Sequence, residues 1–475
     1  MLDEKYFSYV SPITDRYNSK ILGHIWSREN RYILWRKLWL NLAISQKKLG
    51  VKITNEQIEE MKFNLDNIDL NEIEIKEKIY KHEVIANIAV FGDLCKKSKS
   101  IIHLGATSCY VTDNADLIQI RDSLKIIRNR LITIIKKLTE LADKYSDLAM
   151  LGFTHYQPAQ IITFGKRLCV YIQDFIFDIN RLDYELDNLV FRGTKGAVGT
   201  QSGFLTLFNG DHKKVVELDR MIALEMGFKK SLSISNQTYT RKIDYYILSV
   251  LSGIAQTAYK ISNDIRLLSN LGEIREPFYE SQIGSSAMAY KKNPIHSERI
   301  CSLSRYIISL SNNSVGNYSM QWLERTLDDS GNRRILLPEI FILSDFVLSS
   351  IYKIINGLQV YPDIISSHID LELPTMIMEN IILEMVKQGG DRQLLHEAMK
   401  KHIMNFNDNK IDDLLCEIKK DPLFKNFDDK HKNLYDLNKL MGRSKEQVRD
   451  FLKNDVANVL NKFKEDLLAI EDILY

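Results

Sequence analysis

From residue 113 to residue 147 the chain contains neither glycine nor proline. Within that stretch Leu117, Ile120, Leu124, Ile127, Leu131, Ile134, Leu138 and Leu141 alternate spacings of three and four. The pattern predicts one long helix with a coiled-coil-like seam. Ile118, Ile126, Ile132 and Ile135 add a second apolar stripe. A helix with two stripes packs on more than one neighbour and belongs inside a bundle. The seam recurs in Leu168, Ile172, Phe175, Ile179, Leu182, Leu186 and Leu189, and in Ile243, Ile247, Val250, Ile254, Ala258, Ile261, Ile265 and Leu268. Ile300, Leu303, Ile307 and Leu310 start a fourth helix, and Ile340, Leu343, Ile351 and Ile354 mark a less regular fifth. These stripes are core packing and carry no cofactor signal. With only 21 glycines and 8 prolines in 475 residues, long helices are favoured over a turn-rich β fold. The expected class is all-α, with five central helices forming the core of a homotetramer. The second stripe of each helix is expected to be buried against other subunits.

A chain this long exceeds one compact core. Three helical regions are expected: 1–107, a central long-helix bundle over 108–361, and a more charged region over 362–475 beyond Pro362. A net charge of +2 gives no argument for nucleic acid or an acidic membrane surface. There is no amino-terminal apolar segment and no run of eighteen apolar residues, so the reading is cytoplasmic, neither secreted nor spanning. Cys95, Cys109, Cys169, Cys301 and Cys416 are scattered without metal-type spacing and read as reduced thiols. On that reading the glycosylation patterns at Asn236 and Asn317 are chance. A phosphate-binding glycine loop, a dinucleotide fingerprint and a His-Glu-x-x-His helix are all missing from the sequence, so kinase, redox and zinc-hydrolase readings have no support. No metal and no cofactor are expected.

Function should sit in the polar connections between the helices: 151–158, 192–240, 272–294 and 316–334. The most informative runs from Gln282 to Arg299. Gly284 permits backbone angles other residues avoid. Ser285 and Ser286 set hydroxyls beside it, Lys291 and Asn293 add a cation and an amide, and Pro294 suits the first turn of a new helix. Such a loop offers a proton acceptor together with donors for a developing anion. A second connection, Gly152 to Gln160, holds His155, which can exchange protons near neutral pH, before Pro158, read as a helix-starting proline.

The string Gly-Ser-Ser-Ala-Met-Ala-Tyr-Lys-Lys-Asn-Pro resembles the signature loop of the fumarase/aspartase lyase superfamily. It departs only at Ala289, where that family usually has proline, and no reactive group is lost by the change. Thr154 to Ala159 and Gly105-Ala106-Thr107-Ser108 resemble two further blocks of the superfamily. Lys81-His82-Glu83-Val84, Gln237 to Lys242, and Trp322 to Arg334 resemble the adenylosuccinate lyase family within it. The resemblance spans Arg16 to Arg334. Beyond about residue 360 only helical character matches.

That resemblance implies β-elimination of fumarate from adenylosuccinate to give AMP, and the same cleavage of the succinyl-carboxamide ribotide of purine synthesis. It implies Ser285 as general base and His155 as general acid. Lys291, Asn293 and loop N–H groups would stabilise the aci-carboxylate. His82 would orient the substrate phosphate or the acid, and Glu298 would position His155. The substrate carries a phosphate and two carboxylates, so donors are needed. Arg16, Lys81, His82, Lys291, Arg299, Arg325 and Arg334 supply them, with Tyr17, Glu83, Thr107, Ser108, Gln237 and Ser330 beside them. The partners implied are a succinylated purine nucleotide and further copies of the chain, with active sites shared between subunits. The alternative within the superfamily is argininosuccinate lyase or another fumarate-releasing member, opposed by Gln237 and the segment from Arg325 to Arg334. A non-enzymatic structural tetramer is the alternative outside it, and such a protein would need the stripes but not the loops.

Overall fold

The structure is a computed structural model that describes residues 8–278, 282, 287–288, 290–405, 411–427 and 436–467. Its principal helices are α1 (Arg28–Lys48), α2 (Leu70–Tyr80), α3 (Glu83–Leu94), α4 (Ser108–Lys144), α5 (Phe164–Asn188), α6 (Lys242–Asn270), α7 (Ile295–Ser311), α8 (Asp328–Asn356), α9 (Pro362–Met376), α10 (Met378–Lys387), α11 (Arg392–Asn405) and α12 (Ile411–Lys420). Among the described residues two small antiparallel ribbons interrupt them: β1 (Ala149–Thr154) with β2 (Gln157–Thr163), and β3 (Ile274–Arg275) with β4 (Gln359–Val360). The class is all-α, and α4 to α8 are the five helices that the apolar stripes predict.

The chain divides into two compact units. One comprises Met1–Arg130, Asp178–Ala258 and Ser302–Ser349; the other comprises Leu131–Phe177, Tyr259–Cys301 and Ser350–Tyr475. In the first unit α1 buries Trp35 and Trp39, and His82 caps α3. In the second unit Ile381, Met385, Leu395, Leu414, Ile418 and Phe424 form a separate apolar core among the helices after Pro362. Leu117, Ile120, Leu124, Ile127, Leu131 and Ile134 of α4 are fully buried, which accounts for the seam.

Three expectations need correction. Ile118, Ile132 and Ile135 are already buried within one chain and Ile126 is half-buried, so most of the second stripe of α4 does not call for another subunit. An exposed row lies instead on α5, where Val170, Phe177 and Tyr184 repeat every seven residues at 44%, 63% and 57% exposure. Next, Pro158 starts no helix. It lies in β2 opposite Phe153, beside a register irregularity. A two-residue turn with His155 at φ 52° and Tyr156 at φ 57° reverses the chain, and Ile161, Ile162 and Thr163 favour the strand that follows. Third, the segment from Asp328 to Arg334 is the start of α8 and not a connection. Asp328 and Asp329 in the first turn complement the helix dipole. The same helix is long and apolar enough to cross a membrane by composition, but 61% of its most apolar stretch is buried in the protein.

Candidate active site

In the first unit hydrogen bonds from Glu83, Gln237, Arg325 and Arg334 link the segments that carry several of the expected binding residues. Lys81 ends α2 in a left-handed conformation at φ 53°. His82 follows, and its Nδ1 accepts from the Ile85 N–H at 3.4 Å, which leaves the neutral ring's proton on Nε2. Glu83 opens α3 and accepts from the Tyr32 hydroxyl at 3.1 Å and from Arg334 Nη2 at 2.8 Å. That pairing ties the segment from Lys81 to Glu83 to the second turn of α8, and gives Glu83 a partner within the protein.

Gln237 connects two further segments. Its Nε2 donates to the Ala197 carbonyl at 3.0 Å, its N–H donates to the Glu324 carbonyl at 3.3 Å, and its Oε1 lies 3.8 Å from the thiol of Cys109. Cys109 follows Ser108 in the first turn of α4, and Thr107 precedes it. Arg325 Nη1 donates to Asp329 Oδ1 at 2.7 Å, one residue before Ser330 on α8. Arg16 is exposed at the end of a short helix, Pro12–Arg16, and Tyr17 packs its ring on Phe346 of α8 at 4.8 Å.

Sequence reasoning missed two things here. His103 lies two residues ahead of the Gly105-Ala106-Thr107-Ser108 block and carries no signal of its own in the sequence. Its Nδ1 accepts from Trp39 Nε1 at 2.8 Å, and its backbone is left-handed at φ 65°. Burial, with a smaller contribution from the charge of His82, pushes its pKa down to about 4. It is therefore a neutral ring beside His82. The spacing of His103 from Thr107 was visible, but nothing in the sequence revealed the tryptophan contact.

The second omission is a buried ionic cluster under the binding segments. Arg241 donates from Nε to Asp329 at 2.7 Å and from both Nη atoms to Asp113 at 3.0 and 3.2 Å. Arg333 donates to Asp244 at 2.7 Å, to Asp116 at 2.9 Å and to the Tyr239 hydroxyl. Burial raises the Asp116 carboxyl despite Arg333 and Arg31 nearby.

The second unit carries the expected catalytic groups. His155 is exposed at the tip of the β1–β2 hairpin. Lys291 is exposed, and its N–H donates to the Met288 carbonyl at 3.1 Å. The Asn293 carbonyl accepts from the Ile295 N–H at 2.9 Å, at the entry to α7. Glu276 accepts from the N–H groups of His296 at 3.1 Å and Ser297 at 2.6 Å, so a buried carboxylate caps α7. Arg299 and Glu298 lie on the exposed side of the first turns of α7. No hydrogen bond or ion pair joins Glu298 to His155 among the described residues. Ser285, with Gly284, Ser286 and Ala289, lies outside the described residues.

The fold is that of known lyases and cycloisomerases. A fumarate lyase from Mesorhizobium sp. BNC1 superposes with a TM-score of 0.80 at 20% identity, covering 92% of this chain and 98% of that one. The 3-carboxy-cis,cis-muconate lactonizing enzyme from Pseudomonas putida gives 0.82 at 19% identity, covering 96% and 100%. Residues 12–308 match the family described as Lyase, which sets the class. Residues 374–451 match the family described as Adenylosuccinate lyase C-terminus. The adenylosuccinate lyase of Schizosaccharomyces pombe is 45% identical over 472 residues, covering 97% of each chain. That of Schistosoma mansoni is 42% identical over 482 residues, covering 98% of each. The chain thus belongs to the adenylosuccinate lyase family.

Proposed function

We propose that this protein cleaves adenylosuccinate by β-elimination, releasing fumarate and AMP, and that it performs the same cleavage on the succinyl-carboxamide ribotide of purine synthesis. The observation that carries the reading is the first-unit cluster. Its hydrogen bonds link in series the four segments that carry Lys81 and His82, Thr107 and Ser108, Gln237, and Arg325, Ser330 and Arg334. Those cations and neutral donors suit a phosphate and carboxylates. Glu83 serves as the anionic partner that holds Arg334 in place.

The chemistry follows from the bond to be broken. A proton leaves the carbon beside a carboxylate, and the extra charge on the resulting aci-carboxylate needs preorganised donors. Lys291, Asn293 and nearby backbone N–H groups fill that role. Ser285 takes the proton, and its alkoxide needs a cation, for which Lys291 is nearest in sequence. His155 protonates the departing nitrogen. The electrons of the broken C–H bond become the new C=C as the C–N bond breaks, so no redox step is involved.

The site is composite. Lys81, His82, Thr107 and Ser108 precede or open α4, and His155 follows its end. A helix of 37 residues spans roughly 55 Å at 1.5 Å per residue. One nucleotide reaches both groups only if they come from different subunits, with an antiparallel neighbour bringing the far end alongside. A homotetramer with dihedral symmetry supplies such neighbours, and the exposed row on α5 offers it an apolar contact. Glu298 and Arg299 join the site in the same assembly. The three-region division at 107 and 361 and a cytoplasmic location complete this reading.

Purified protein should change the ultraviolet absorbance of adenylosuccinate as fumarate leaves, and should release none from argininosuccinate. Release from argininosuccinate alone would move the chain to that branch, and release from neither would return it to a structural role.

A further inference from the structure

We propose that Asp329 is a positioning residue that aims Arg325 at the substrate; this rests on the reading of Arg325 as a substrate-binding group. Asp329 lies in the first turn of α8 with its side chain fully buried, whereas the Arg325 side chain is 20% exposed. The two carboxylate oxygens are divided between two guanidinium groups. Oδ1 accepts from Arg325 Nη1 at 2.7 Å, and Oδ2 accepts from Arg241 Nε at 2.7 Å.

Arg241 cannot swing. Its two Nη atoms grip both oxygens of Asp113, which sits on α4 five residues after Ser108. Asp113 Oδ2 is fixed in turn by the Tyr239 N–H at 2.8 Å. A bidentate arginine–carboxylate pair is geometrically rigid, so the position of α4 is passed through Arg241 and Asp329 to Arg325. Arg241 and Arg333 are enclosed by the protein, and Arg325 is the member of this cation set that reaches solvent. Its Nη1 is spent inward on Asp329, which leaves its other N–H groups for a ligand anion. Burial works to raise the Asp329 carboxyl, but Arg241 and Arg325 outweigh it and keep the group ionised. Without Asp329 the Arg325 side chain would keep its charge but lose its direction.

A double-mutant cycle tests this, using Arg325→Met, Asp329→Asn and both together, with kcat, KM and melting temperature measured for each. Each single variant should lower kcat/KM by about 10- to 100-fold, mainly through KM. The double variant should be no worse than the weaker single variant by more than about threefold. The melting-temperature loss from Asp329→Asn should persist in the Arg325→Met background, which separates aim from stability. Normal kinetics in Asp329→Asn overturns the proposal, and so do fully multiplicative losses, because Asp329 would then act independently of Arg325. Near-normal kinetics in Arg325→Met fails at the earlier step: Arg325 would not be a substrate group and Asp329 would have nothing to aim. If Asp329→Asn does not fold, the same cycle with Asp329→Glu decides. That change keeps the charge and displaces the carboxylate by one methylene.

Discussion

At the scale of single residues the proposed base and a neutral histidine give the clearest tests. Ser285→Ala should lose catalysis far more than substrate binding, by on the order of 10² to 10⁴ in kcat. Near-normal turnover would shift the base elsewhere, with Ser286 examined first. His103 makes a different prediction. Its folded pKa of about 4 lies below the ordinary histidine value of about 6.5. A depressed pKa means that the unfolded chain binds the proton first, so its stabilising contribution is full above about pH 6.5 and fades as pH falls toward 4. Thermal melts across that window should show a shallower acid loss in His103→Gln than in the parent. Equal slopes would place the acid sensitivity elsewhere. Ser285, Lys291 and His155 stood out in the sequence because their loops are distinctive strings. The aspartates of the ionic cluster did not, because an isolated Asp or Arg in a polar segment looks the same whether solvated or buried.

At the scale of elements, the long helices were legible and their ends were not. Sustained apolar spacing marked α4 to α8, and burial of Leu117 through Ile134 accounts for it. The seam reads as a helix from 113, whereas α4 begins at Ser108, where Tyr110 and Val111 are buried and carry the apolar spacing further back from Leu117 and Ile118. The β1–β2 hairpin was hidden for a related reason: Gly152 and Pro158 read as loop punctuation, and two non-glycine residues make its left-handed turn. Arg333 is the element-scale test of the cluster. It lies on α8 and binds Asp244 of α6 and Asp116 of α4. Arg333→Met should leave buried carboxylates uncompensated and cost about 3–5 kcal/mol in denaturant unfolding. A cost below about 1 kcal/mol, within the range of an exposed pair, would mean that the cluster does not hold these helices together.

At the scale of the whole molecule, the exposed row on α5 and the length of α4 are the features on which the proposed assembly rests. Light scattering at micromolar concentration should give a tetramer, and an active monomer would contradict the composite site. Charging the row with Phe177→Glu should weaken the assembly and reduce activity together. A more direct measurement is complementation between His82→Gln and His155→Asn. Each variant alone should be inactive. After mild dissociation and equal mixing, with subunit exchange confirmed by a size tag, random reassembly should give sites with both native histidines. Fumarate release from adenylosuccinate should then return to roughly a quarter of the parent rate, because each native group is present with even odds. Activity that stays at the level of the separate variants despite demonstrated exchange would show that the two histidines do not meet across subunits.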